Sequence, residues 1–259
     1  VIRSLNDHNI ETVCPVEIVV WTNEEGARFP PAMMGSGVFA GIFDQSEIYT
    51  HTDSEGFTVE EELRRTKQLG DTPCKNFPIR AYYELHIEQG PILETDNNSI
   101  GVVTGGQGSY WTHITLYGQG SHAGTTPMNC RKDPIMGASR IITGLREIIR
   151  QQSGAVGTVG CLETYPASIN TIPGRVFFTV DTRHPNEKIL EQINQDLQKL
   201  VNSVSLEEKL ENEFSNIWKT PTIHFDEDCI SKVRNAAKTL DYSHCDIVSG
   251  AGHDACHLS

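Results

Sequence analysis

Basic residues are scarce in this sequence. Lys and Arg number 21 against 34 Asp and Glu, giving a net charge of −13 over 259 residues. A surface this acidic repels phosphate backbones and anionic lipid, which argues against nucleic acid or a membrane surface as partner. No apolar run approaches the roughly 18 residues of a membrane-spanning helix. No basic segment followed by an apolar one opens the chain, so no secretory leader is read. The seven cysteines (14, 74, 130, 161, 229, 245 and 256) are odd in number and never in C-x-x-C spacing. That disfavours a disulfide framework and a zinc ribbon, and free thiols in a reducing cytoplasm are the expectation. Gly105-Gly106-Gln107-Gly108 leads into a strand, and no G-x-G-x-x-G or G-K-[ST] follows, so a phosphate loop is discounted. What remains, 37% apolar and 21% charged with 22 Gly and 12 Pro, is a globular composition. The chain begins Val1-Ile2-Arg3 and ends His257-Leu258-Ser259, and both ends are read as cut from something longer.

Val16 to Trp21 is β-branched and aromatic and reads as a buried strand running into the polar turn Thr22-Asn23-Glu24-Glu25-Gly26. A charged helix is expected near 57–69, and an extended segment over Ala81 to Ile87, broken by Gly90-Pro91. Near residue 100 the texture changes. Ile100 to Thr104 and Trp111 to Gly118 read as strands. A helix is expected from Asp133 to Gln152, with Asp133 as N-cap, Pro134 in the first turn, and Ile141, Ile142, Leu145, Ile148 and Ile149 on one face. Arg175 to Thr182 reads as a strand, and Pro185 opens another helix. Asp226 caps a last helix before the short strand Ile247-Val248-Ser249. The pattern gives an α/β protein with a split domain, 1–106 plus 218–259, and an inserted α/β sandwich over 107–217.

Several polar residues sit where chemistry is possible. Glu24 and Glu25 fall where a strand ends and the backbone turns, the one place where adjacent carboxylates can share a site. One can bind a metal while the other acts as base toward water; the alternative is a solvated acidic turn. His86 precedes a Gly turn and is either a metal ligand, with Glu84 or Glu88 orienting its ring, or a structural histidine. His122, among small residues after a strand, can donate to an oxyanion. Asn170 and Arg183 flank the strand 175–182, and the planar fork of Arg183 suits a carboxylate, unless it is simply a surface residue. His253, in Gly250-Ala251-Gly252-His253-Asp254, is equally a site or a turn.

Taken together these stretches resemble one family. It comprises the dinuclear metallo-amidohydrolases N-carbamoyl-L-amino-acid amidohydrolase, yeast-type β-ureidopropionase and allantoate amidohydrolase, within the zinc aminoacylase–carboxypeptidase superfamily. The matching segments are Trp21 to Phe29, Pro31 to Gly41, Glu84 to Pro91, Gly118 to Met128, Asn170 to Gly174, Asp181 to Pro185 and Ser249 to Ala255. The resemblance implies a zinc-exopeptidase-like catalytic domain, incomplete in this chain, carrying a lid and dimerisation domain whose residues reach a partner's active site. It implies Glu24 as general base, Glu25 and His86 as metal ligands, and Gln89 as a substrate contact. His122 would face the developing oxyanion, Asn170 and Arg183 the substrate carboxylate, and His253 the substrate side. The implied cofactor is a divalent metal, two zinc or manganese ions in the complete enzyme. The implied reaction splits the carbamoyl C–N bond of an N-carbamoyl amino acid or ureidopropionate, as in pyrimidine degradation, by a cytoplasmic homodimer acting on a small carboxylate substrate.

In that family a His-x-Asp segment and the bridging Asp precede the Glu pair, and a last His ligand follows the Gly-Ala-Gly-His-Asp turn. Only Glu25 and His86 of the ligand set stand in this sequence. A non-catalytic truncated homologue that keeps the dimerising lid is therefore an alternative. So are an allantoate amidohydrolase and, further off, an aminoacylase or dipeptidase. Trp218-Lys219-Thr220-Pro221 and Ser249-Gly250-Ala251-Gly252 lean towards carbamoyl-amino-acid or ureidopropionate substrates.

Overall fold

A computed structural model describes residues 1–259, and the chain divides into two units, Val1–Glu84 with His253–Leu258 and Leu85–Gly252 with Ser259. No helix is long and apolar enough to cross a membrane.

The first unit holds four short helices, α1 (Ile2–Asp7), α2 (Met34–Phe39), α3 (Gln45–Tyr49) and α4 (Val59–Arg65). Its core is small: Phe29, Met34, Ile48 and Val59, with Val38, Phe43, Tyr49 and Leu63 against them. Thr58 opens α4 with a capping box. Its hydroxyl accepts from the Glu61 N–H, and the Glu61 carboxylate accepts from the Thr58 N–H. Each bond satisfies a donor that the first turn would otherwise leave open. The helix is shorter than the expected 57–69, because Lys67 takes a φ of 59° and Gly70 one of 69°, where a right-handed helix cannot continue.

Two expected extended segments are not strands. Residues 15–20 and 81–89 are irregular, and Ile18, Val20, Leu85 and Ile87 are exposed. Their β-branched pattern is that of strands covered on both faces. A strand exists only when a neighbour takes its N–H and C=O groups, and no strand of this chain pairs with either segment.

The second unit runs α5 (Ile92–Thr95), β1 (Ile100–Gly106), β2 (Gly108–Tyr117), β3 (Ser121–His122), α6 (Pro134–Arg150), β4 (Val156–Tyr165), β5 (Thr171–Ile172), β6 (Arg175–His184), α7 (Glu187–Glu208), β7 (Glu211–Thr220), β8 (Ile223–His224), α8 (Glu227–Thr239) and β9 (His244–Ser249). Asp133 caps α6 as its sequence indicates, accepting from the Ile135 N–H ahead of Pro134 in the first turn. Asn186 caps α7, accepting from Lys188 and Ile189.

Four strands form an antiparallel sheet in the order β4-β6-β2-β7. Along β6 the side chains of Val176, Phe178, Val180, Thr182 and His184 are buried, and those between them are not. The two-residue period turns one face towards α6 and α7. There Ile114, Leu116, Val176 and Phe178 meet Ile141, Leu145, Leu197 and Val201 in the main core. Each such side chain contributes about 1.5–3 kcal/mol by leaving water. The opposite face carries no helix. A second sheet, β8-β1-β9, pairs β1 with β9 in parallel, and α8 packs on β1. The four-stranded sheet thus lies within 108–220; β7 runs two residues past Trp218.

Candidate active site

The acidic turn is fixed by its backbone. Asn23 has φ 55° and Gly26 φ 66°. The carbonyls of Thr22, Asn23 and Glu24 accept from Gly35, Met34 and Met33 at 3.0, 3.3 and 2.6 Å. Two of those donors are first-turn N–H groups of α2, which have no partner within their own helix. The Asn23 amide donates to the carbonyls of Phe29 at 2.5 Å and Pro31 at 3.3 Å. A Cβ on Gly26 would stand 2.7 Å from the Ala32 Cα, so the turn closes only on glycine. The result leaves Glu24 half-buried and Glu25 exposed.

Behind the turn, Arg28 donates to Asp53 at 2.8 Å and to Glu62 at 2.5 Å. Arg65 forks onto Glu62 at 2.8 and 2.6 Å. Hydrogen bonds from Arg65 first and Arg28 second hold the Glu62 carboxyl down at about 2.

His253 and Asp254 lie in a polar cluster inside the first unit. His253 is 5% exposed, and its Nδ1 stands 3.5 Å from Glu84 Oε2. The same Glu84 oxygen accepts from the Ala255 N–H at 2.8 Å. Burial pushes the Asp254 carboxyl up, against a hydrogen bond from Ser36. Ser36 is fully buried, with His257 Nδ1 3.0 Å from its hydroxyl, and burial pushes the His257 imidazole down. Tyr82 accepts from Trp21 Nε1 at 3.0 Å and is pushed up to about 12, chiefly by burial. Ser36, Tyr82 and His257 carry no sequence motif that singles them out; Glu84 was visible but with a different partner in view.

His86 lies in the second unit, exposed, with Nδ1 2.6 Å from the Ile87 carbonyl. A carbonyl only accepts, so that nitrogen carries a proton, and in the neutral ring the lone pair is then on Nε2, the arrangement of a ligating histidine. The two carboxylates expected beside the ring each hold other groups as well. Glu84 serves His253 and Ala255, and Glu88 accepts from the Ile92 and Leu93 N–H groups at 2.8 and 2.9 Å, capping α5. Gln89 is exposed, at a left-handed φ of 54°. Glu25 and His86 are the right donor types for a divalent metal, but they are two where a closed zinc site has about four. Nowhere do three His, Cys, Asp or Glu side chains gather as a metal-holding group.

His122 and Asn170 come together. In the β3–β5 ribbon His122 pairs with Thr171, and the Ala123 N–H donates to the Asn170 carbonyl at 2.9 Å. The Gly124 N–H donates to His122 Nδ1 at 3.1 Å, which leaves the neutral ring's proton on Nε2. The Ser168 hydroxyl donates to Asn170 Oδ1 at 2.9 Å, which orients the Asn170 amide N–H groups away from it. The ribbon thus offers donors from two exposed side chains. Arg131 fastens its loop by donating to the carbonyls of Ala123 and Thr126 at 2.7 and 3.1 Å, a role nothing in its sequence context announces.

Arg183 stands apart from that ribbon. Gly118, which leads into the ribbon, donates to the Gly174 carbonyl beside the Tyr117–Arg175 end of the sheet. Arg183 pairs with Ser109 near the other end of β6. Eight residues of strand separate Arg175 from Arg183, about 26 Å.

Residues 1–259 match the model of peptidase family M20/M25/M40. An N-carbamoyl-L-amino-acid amidohydrolase of Rhizobium meliloti is 41% identical over 256 residues, 98% of this chain and 62% of the relative. An allantoate amidohydrolase of Bacillus subtilis (strain 168) is 33% identical over 247 residues, 93% of this chain and 59% of the relative. Among solved structures, an amidase of the hydantoinase/carbamoylase family from Burkholderia multivorans matches with a TM-score of 0.94 at 49% identity, over 99% of this chain and 63% of that one. The chain spans less than two thirds of the length of each of these relatives.

Proposed function

The chain belongs to peptidase family M20/M25/M40, and from that premise we propose that it forms part of a metal-dependent amidohydrolase. The substrate would be an N-carbamoyl amino acid or ureidopropionate, cleaved at the carbamoyl C–N bond to amino acid, ammonia and carbon dioxide. The observation that carries this is the acidic turn, which pins two adjacent carboxylates by their backbone and gives them different exposure. Half-buried Glu24 suits the base that takes a proton from water; exposed Glu25 suits a ligand. A divalent metal, when bound by Glu25, His86 and the ligands that the family pattern places outside residues 1–259, supplies Lewis acidity at the ureido carbonyl. His122 Nε2–H is a donor for the charge that develops on that oxygen, and the Asn170 amide is a donor for the substrate carboxylate. Arg183 would hold the substrate carboxylate, Gln89 would touch the substrate, and His253, held at Glu84, would line its side.

Residues 107–217 are proposed as the lid and dimerisation domain. A carbamoyl amino acid is far shorter than the roughly 26 Å of strand between Arg175, near which the ribbon leaves the sheet, and Arg183, which argues against Arg183 and the His122–Asn170 ribbon of one chain gripping the same molecule. A homodimer in which Arg183 and the ribbon of one chain serve different copies' sites removes that difficulty. Seven cysteines without a disulfide fit a reducing, cytoplasmic setting.

The 33% identity to an allantoate amidohydrolase favours allantoate as the second substrate to try. The test is ammonia release by the full-length gene product from N-carbamoyl amino acids, ureidopropionate and allantoate, with zinc or manganese and after chelation. We expect metal-dependent turnover of a carbamoyl amino acid or ureidopropionate. Turnover of allantoate alone would move the enzyme to that branch; turnover of none would leave the non-catalytic homologue.

A further inference from the structure

We propose that Asp181 is a positioning residue that sets the Arg183 fork for a carboxylate ligand; the inference rests on reading Arg183 as the substrate anchor. A guanidinium has five N–H donors. Arg183 Nε lies 3.1 and 3.2 Å from the two oxygens of Asp181, and Nη2 lies 2.7 Å from Oδ2. Nη1 donates to the Gly250 carbonyl at 2.8 Å. One hydrogen on each nitrogen is thereby committed. One remains on Nη1 and one on Nη2, the two terminal nitrogens that chelate a carboxylate end-on.

The sequence makes this hold possible. Asp181 and Arg183 are two apart on β6, so both project from the face that carries no helix. Their cross-strand neighbours are Trp111 and Thr158 beside Asp181, and Ser109 and Val156 beside Arg183. None of the four carries a charge, so no other carboxylate sits in those two rows of β2, β6 and β4. The Gly250 contact adds a second fixed point, on a turn where the Ser249 hydroxyl donates to the Ala251 carbonyl at 2.9 Å.

The physical gain is preorganisation. A free arginine has four side-chain torsions to fix when it binds, and that ordering weakens the complex. Asp181 fixes them beforehand while occupying only the side edge. The rival view is that Asp181 competes with the ligand for Arg183, and the two make opposite predictions.

The experiment is steady-state kinetics of the full-length gene product carrying Asp181→Ala, Asp181→Asn, Asp181→Glu or Arg183→Ala. Each is assayed on an N-carbamoyl amino acid and on the matching carbamoyl amine without the carboxylate. We expect Asp181→Ala to raise KM for the acid by roughly tenfold or more with kcat little changed, as for removal of an orienting partner. KM for the amine should stay put, Asp181→Asn should fall between, and Asp181→Glu should recover part of the loss. A merely structural role would instead change both substrates alike. An unchanged or lower KM for the acid in Asp181→Ala, while Arg183→Ala loses its preference for the acid, overturns the positioning role alone. Retained preference in Arg183→Ala overturns the anchor and its positioning together.

Discussion

Glu24 and Glu62 show how differently two carboxylates in one unit are used. Glu62 is 8% exposed and gripped by two guanidiniums. Its folded value of about 2 lies below the ordinary 4.5. A lowered carboxylate contributes stability that is full above the unfolded value and lost as pH falls through the folded one. The first unit should therefore lose stability between about pH 4.5 and 2, and Glu62→Gln should flatten that stretch of an acid-unfolding curve. If the curve keeps its slope, the Arg28–Glu62–Arg65 group is not what acid breaks. Glu24, by contrast, is assigned to chemistry. Glu24→Gln keeps shape and backbone bonds, so kcat should fall by about 10²–10⁴, the usual weight of a general base, with KM nearly unchanged. A mutant that loses KM and kcat together would make Glu24 a binding group.

At the scale of elements, the longer helices and two strands of the four-stranded sheet, β2 and β6, were legible because their signals are local. The i, i+3, i+4 stripe of Ile141, Leu145 and Ile148, the Asp133 cap and the two-residue alternation of Val176, Phe178 and Val180 need no distant partner to be read. Phe178 sits fully buried in that core, so Phe178→Ala should destabilise the second unit by about 3–5 kcal/mol in chemical unfolding. A loss under about 1 kcal/mol would mean that the core repacks around the missing ring. Segments 16–21 and 81–87 misled because a strand's identity belongs to its partners as much as to its own residues. The site was legible in part for a related reason. Glu24, Glu25, His122 and Arg183 stand in short motifs, whereas the 3.5 Å approach of Glu84 to His253 joins positions 169 residues apart. The hold of Asp181 on Arg183 is close in sequence, but a carboxylate two residues from an arginine is too common to attract notice until the register shows its neighbours uncharged.

At the scale of the whole molecule, Arg175 and Arg183 stand about 26 Å apart along β6, and the segment leading into the His122–Asn170 ribbon leaves the sheet at the Arg175 end. On that separation rests our proposal of an enzyme whose sites are completed by a second copy. A symmetric dimer makes this exact: whatever one lid gives, it also receives. The direct measurement is complementation. Full-length Glu24→Gln and His122→Ala variants, each nearly inactive alone, are mixed, dissociated and reassociated. Half of the dimers formed at random are mixed, and one of their two sites combines an intact Glu24 with the other copy's intact His122, so about a quarter of wild-type activity should return. If mixing restores nothing while mixed dimers form, each site draws Glu24 and His122 from the same chain, and the shared-site account is wrong.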